Sequence, residues 1–148
     1  MRRAARAALA AGLALAAPSC VAGDRSAAQP LPPPAATVAV TLHDYRFELS
    51  GELPMGRVIV EVANRGTMNH ALTLIEVPDD VASLDEQLRG GERRGVGTIA
   101  RVPARPPGDG TRFAVDLRPG RYGLICLVAD ADGLTHGQKG MNLEFRVG

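Results

Sequence analysis

The stretch PGRYGLICLVADADGLTHGQKGM (Pro119–Met141) carries the pattern from which the rest of the chain can be read. Behind its Pro-Gly turn signal, Tyr122, Leu124 and Cys126 occupy alternate positions, the period of a strand with one buried face. Its last residue opens a second run of the same parity, Met141, Leu143, Phe145 and Val147. Gly and Asp punctuate the segment between, so it reads as strand, polar loop, strand. The chain has two cysteines, three histidines and four methionines, and one of each falls between Cys126 and Met141. Taken singly, these residues have ordinary readings. Cys126 can be a small buried hydrophobe, Met141 core filler and His136 a solvated loop residue.

The same alternation extends upstream. Val38, Val40 and Leu42 share one parity, as do Tyr45, Phe47 and Leu49, then Val58, Val60 and Val62. His70, Leu72 and Leu74 follow, and later Phe113, Val115 and Leu117. Seven such runs separated by Gly, Pro, Asn and Asp predict an all-β antiparallel sandwich or barrel. One stretch departs from this period. Val81, Leu84 and Leu88 stand at helical spacing, with Ser83 or Asp80 as N-cap and Gly90 as terminator, predicting one short helix in the long inter-strand connection. Residues 90–110, with Pro103, Pro106 and Pro107, read as loop. No internal repeat is evident.

At 148 residues the chain suits one domain with a full core. Residues 1–22 carry a basic start, a short Ala/Leu run and small residues at the end, the layout of an export signal. The apolar run is too short to span a bilayer. Cleavage after Ala22 and lipidation at Cys20 are both compatible with the sequence; the second would tether the protein to a membrane. Residues 23–36 are Pro/Ala-rich and read as an extended linker, leaving 37–148 as the folded domain. The formal charge is +1, and losing Arg2, Arg3 and Arg6 with the signal takes it to −2. No basic face remains to bind nucleic acid. Export also leaves Cys126 without an intramolecular partner, which an oxidising compartment would normally supply.

Strand parity gives these residues a joint reading. If the apolar faces point inward, His70, Cys126 and Met141 point inward with them near strand ends, and His136 lies on the loop joining the last two strands. One thiolate, two imidazoles and one thioether form the donor set of a blue-copper centre. Structural zinc would favour Cys or His in place of Met. His43 has the opposite parity and reads as surface. Asn69, beside His70, and Asn64 are candidates to brace the site by hydrogen bonding, Asn69 the better of the two.

NRGTMNHALTL (Asn64–Leu74) and PGRYGLICLVADADGLTHGQKGM together make the chain resemble the cupredoxins, the small plastocyanin- and azurin-like proteins, over about residues 37–148. The resemblance implies a Greek-key β-sandwich and a single type 1 copper held by His70, Cys126, His136 and Met141. It also implies one-electron transfer between redox partner proteins, with an exposed edge of His136 as the electron port. The four residues between His136 and Met141 match a common family spacing. The nine between Cys126 and His136 exceed those of the smallest members, so the loop's effect on the site stays open.

The expectation is therefore an exported, monomeric electron carrier, periplasmic or at the cell surface, and not an enzyme. A copper-binding or chaperone-like module, or a metal-free interaction domain, is the alternative. Only His43 is left over for additional metals, and no G-x-S-x-G, phosphate-loop or EF-hand pattern occurs.

Overall fold

A computed structural model describes residues 33–91 and 97–148. The expected signal segment and most of the linker lie outside these residues. Eight strands occur among the described residues: β1 (Ala36–His43), β2 (Arg46–Leu49), β3 (Gly56–Asn64), β4 (His70–Glu76), β5 (Gly97–Arg105), β6 (Gly110–Leu117), β7 (Gly120–Ile125) and β8 (Asn142–Val147). They form two four-stranded sheets, ordered β2-β1-β3-β6 and β5-β4-β7-β8. The chain crosses between the sheets at β3–β4, β5–β6 and β6–β7, as in a Greek-key sandwich. β1 and β3 run parallel, and every other pairing is antiparallel.

The alternating residues turn inward as their parity predicts. Val38, Val40 and Leu42 from β1, Val58, Val60 and Val62 from β3, Leu72 and Leu74 from β4, and Tyr122 and Leu124 from β7 meet in one buried core. Each such side chain stabilises the fold by about 1.5–3 kcal/mol relative to exposure. Cys126 and Met141 belong to the same core. At the opposite end of the sandwich from the ligands, the Tyr122 hydroxyl donates to Arg118 O at 2.8 Å and closes the Pro-Gly turn before β7.

Helix α1 (Leu84–Arg89) starts at Ser83, whose hydroxyl accepts from Glu86 N while the Glu86 carboxylate accepts from Ser83 N, a reciprocal capping box. The helix lays Leu84 and Leu88 on Ile75 and Ile125, on the outer face of the second sheet. β4 and β7 are therefore buried on both faces beneath the helix, which is why Ile75 is buried alongside Leu72 and Leu74.

Two expectations need correction. Residues 97–105, expected as loop, form β5, an edge strand paired only with β4. Its pattern was obscured because Val102 is its one buried residue and because an edge position tolerates Pro103, whose missing N–H costs no ladder bond on the open side. Tyr45, expected to share a strand face with Phe47, instead sits in the β1–β2 turn with a left-handed φ of 59°.

Leu72 is fully buried and central, so Leu72→Ala should cost about 2–5 kcal/mol in urea unfolding. Ile99→Ala, on exposed β5, should change stability by less than about 0.5 kcal/mol.

Candidate metal centre

The ends of β3, β4 and β7 and the β1–β2 turn gather at one end of the sandwich. His70 is the first residue of β4, paired with Arg105 of β5, and Cys126 follows the last residue of β7, whose pairing with β4 sets where the chain leaves the sheet. His136 reaches the same place from the β7–β8 loop. The donor atoms of His70, Cys126 and His136 lie within 4.8 Å of one another, and all three residues are buried. His70 Nδ1 is 3.1 Å from His136 Nδ1, and Cys126 Sγ is 3.5 Å from His136 Nδ1. Met141, also fully buried, is tied by its backbone to two of them: its carbonyl accepts from Cys126 N at 3.1 Å, and its N–H donates to His136 O at 2.8 Å.

The nine-residue stretch between Cys126 and His136 does not loosen this arrangement. Its ends are pinched together: Gly137 N donates to Cys126 O and His136 N to Val128 O, both at 2.8 Å. The remainder turns back on itself, with Asp130 N donating to Leu134 O at 2.9 Å and Gly133 in the left-handed region at φ 81°. The extra length is a side excursion. Gly137 itself must lack a side chain, since a Cβ would stand 2.7 Å from Ile125 Cγ2 and 3.0 Å from Cys126 O.

Each imidazole has a carboxylate behind it. His70 Nε2 is 2.9 Å from Asp44 Oδ1, and His136 Nε2 is 3.1 Å from Asp130 Oδ1. Asp44 also accepts from Thr67 N at 2.8 Å and Thr67 Oγ1 at 2.7 Å. The bond from His70, with that of the Thr67 hydroxyl next, holds its carboxyl well below the usual carboxylate range. Asp130 accepts from Lys139 Nζ and from the Tyr45 hydroxyl, each at 2.6 Å, and these two bonds lower it to about 2. Two ionised carboxylates can only accept, so both Nε2 atoms are the N–H donors, and Nδ1 is the nitrogen that each ring presents to the cluster. Two ring nitrogens 3.1 Å apart with a cysteine sulfur 3.5 Å from one of them form a compact set of one thiol and two imidazole donors, able to share a proton or a cation. The donor set thus fits a single metal ion. Cys126 Sγ accepts from Ala71 N at 3.3 Å; burial pushes its thiol pKa up, and backbone N–H groups of Ala71 and Val128 pull the other way.

Of the sequence-derived candidates, His70, Cys126 and His136 meet, and Met141 is buried beside them. His136 is not an exposed port. It is 2% exposed, with the Tyr45 ring edge-on at 5.2 Å between centroids. The brace is Asn64 rather than Asn69, which is exposed. Asn64 Nδ2 donates to Met68 O and Arg105 O, both at 2.8 Å, and its Oδ1 accepts from Gly66 N at 2.9 Å, setting the loop that delivers His70. Asp44, Tyr45 and Asp130 went unread because no local spacing ties them to histidines 26, 91 and 6 residues away.

No protein-family model matches this chain, and no curated protein does. Solved structures do match. Dithionite-reduced auracyanin from Roseiflexus castenholzii aligns with a TM-score of 0.56 at 19% identity, over 78% of this chain and 99% of that one. Auracyanin B aligns at 0.52 and 18% identity, over 80% and 92%. Rusticyanin from Thiobacillus ferrooxidans, a copper protein, aligns at 0.51 and 18% identity, over 76% and 77%. The fold is that of the cupredoxins. Within it, the metal-ligating candidates of this chain occupy one end of the sandwich, around a buried cluster built from two strand termini and one loop.

Gly66 tests how tightly the cluster is set. A Cβ there would fall 2.7 Å from His70 Nε2 and collide with the Asp44 carboxylate. Gly66→Ala should lower metal affinity by about 10–100-fold in a competition titration, as expected for loss of a ligating histidine's outer partner. Gly51→Ala, where a Cβ meets nothing within 4 Å, should leave affinity unchanged.

Proposed function

We propose that the domain is a one-electron carrier holding a single type 1 copper through His70 Nδ1, His136 Nδ1 and Cys126 Sγ, with the Met141 thioether as a weak fourth donor. The observation that carries this reading is the buried His-Cys-His cluster with its donor atoms within 4.8 Å. Thiolate and thioether are soft donors that select copper, and three ligands from different parts of the fold hold one arrangement for either oxidation state. Bound there, copper supplies the Cu(I)/Cu(II) couple. The polypeptide does the rest. Strand pairing holds His70, the backbone bond to Met141 holds Cys126, carboxylates orient both imidazoles, and burial keeps water away.

Electron transfer is favoured over delivery of the ion itself. A copper donor needs ligands that a partner can reach, and His70, Cys126 and His136 are each at most 2% exposed. No catalytic step is assigned: His43 lies outside the cluster, paired with Glu48 at 3.0 Å. The N-terminal sequence supports export to the periplasm or cell surface, with Cys20 either lipidated as a membrane anchor or lost with the signal. Among the described residues, no helix is long and apolar enough to cross a membrane. The reading further has the domain act as a monomer that meets separate redox proteins.

Purified protein given Cu(II) should develop an intense thiolate-to-copper charge-transfer band and narrow copper hyperfine splitting by EPR, both absent in Cys126→Ser. Colourless, stoichiometric uptake of Cu(I) would instead favour a chaperone-like binder, and no uptake of either ion would end both metal readings. Met141→Leu should move the reduction potential far more than copper occupancy, because a thioether would be the weakest donor of the four. Loss of all copper in that variant would show that Met141 is a principal ligand.

A further inference from the structure

Asp44 and Tyr45 are the two central residues of the β1–β2 hairpin, between the paired residues His43 and Arg46. Neither belongs to the metal cluster, yet both reach it. Asp44 Oδ1 lies 2.9 Å from His70 Nε2. The Tyr45 hydroxyl donates at 2.6 Å to Asp130 Oδ2, and the other oxygen of that carboxylate lies 3.1 Å from His136 Nε2. The Tyr45 ring stands edge-on to His136, and Lys139 Nζ, bonded to the same carboxylate, lies 5.8 Å from the ring centroid. One two-residue turn thus backs both imidazoles, although these are 66 residues apart in the chain.

The backbone gives a second, independent sign. Tyr45 is the one non-glycine residue with positive φ among the described residues, at 59°. A bulky side chain is disfavoured there, whereas Gly or Asn would fit a hairpin turn without strain. Strain of this kind persists where the side chain has a task that the surroundings enforce.

We infer that the Asp44–Tyr45 turn is a clasp that presets both ligand imidazoles, holding their Nε2–H groups on carboxylates and closing His136 off from solvent. Asp44 acts directly on His70. Tyr45 is a positioning residue that acts on His136 through Asp130 and by covering its ring. The inference rests on the copper reading only for its purpose; the clasp itself is a property of the metal-free fold.

The test uses ¹⁵N-labelled, metal-free protein. Wild type should show two protected imidazole Nε2–H resonances, one each for His70 and His136. Asp44→Ala should remove the His70 signal and spare that of His136. Tyr45→Gly relaxes the backbone, so the protein should melt no lower than expected for the lost contacts alone, while His136 N–H exchange accelerates by about tenfold or more. Tyr45→Phe, which keeps the ring and loses the hydroxyl, should fall between. His43→Gln, beside the turn and outside the clasp, should change neither signal. Loss of protection at both histidines in His43→Gln, or unchanged protection in folded Tyr45→Gly, would overturn the clasp. So would the absence of both signals from wild type. With Cu(II) added, Tyr45→Gly should also shift the reduction potential relative to wild type. If wild type binds no copper but the resonances behave as described, the copper reading fails and the clasp stands.

Discussion

Two imidazole nitrogens 3.1 Å apart, each turned toward the other by a carboxylate behind its ring, set the condition that the surrounding structure meets. Such an arrangement is unfavourable for free side chains, because buried polar atoms lose hydration. It persists here because each ring is held from outside. Asp44 is itself fastened by Thr67, Asp130 by Lys139 and Tyr45, and the carboxylates leave the histidines little freedom to turn away. The sandwich contributes the remaining rigidity. His70 opens β4 opposite Arg105 of β5, and Cys126 directly follows β7 with its N–H bonded to Met141 O, so both sit where the sheet anchors the backbone.

The loop between Cys126 and His136 illustrates how length and looseness differ. Nine intervening residues could have floated His136 across a wide range of positions. Hydrogen bonds at the neck, from Gly137 to Cys126 and from His136 to Val128, shorten the path that matters to the ligands. The residues beyond the neck are then available for another task, and Asp130 performs it by returning to His136 Nε2. A tight turn from His136 to Met141 completes the segment, with Gly140 at φ 107° and Met141 N bonded to His136 O. Closure of this kind is consistent with the proposed electron-carrier role, in which no partner atom needs to reach the cluster itself.

Helix α1 has a structural role at some distance from the cluster. It covers Ile75 and Ile125 on the outer face of β4 and β7, the two strands that present His70 and Cys126. Its N-terminus is secured by the Ser83–Glu86 capping box and by the Glu144 carboxylate of β8, which accepts from Leu84 N. Close packing is also written into Gly123, where a Cβ would meet Leu84 Cδ2 at 2.7 Å. The ligand-bearing strands are thus clamped between the central core and a helix.

Much of this was legible in the amino-acid order because it is local. Period-two alternation revealed seven of the strands, 3.6-residue spacing with Ser83 and Gly90 revealed the helix, and strand parity turned His70, Cys126 and Met141 inward. β5 escaped because an edge strand with one buried side chain leaves almost no periodic trace. The residues that orient the ligands escaped for a different reason. Asp44, Tyr45 and Asp130 lie on turns, where neither parity nor period constrains them, and the first two act on partners far away in the chain. Sequence by itself determined the sandwich, the donor types and their order along the chain. Tertiary structure alone decided that His136 is covered rather than exposed, that Asn64 rather than Asn69 braces the site, and that one hairpin turn backs both histidines. Hydrogen bonds across such separations depend on where the sheets bring the chain together, which no local pattern encodes.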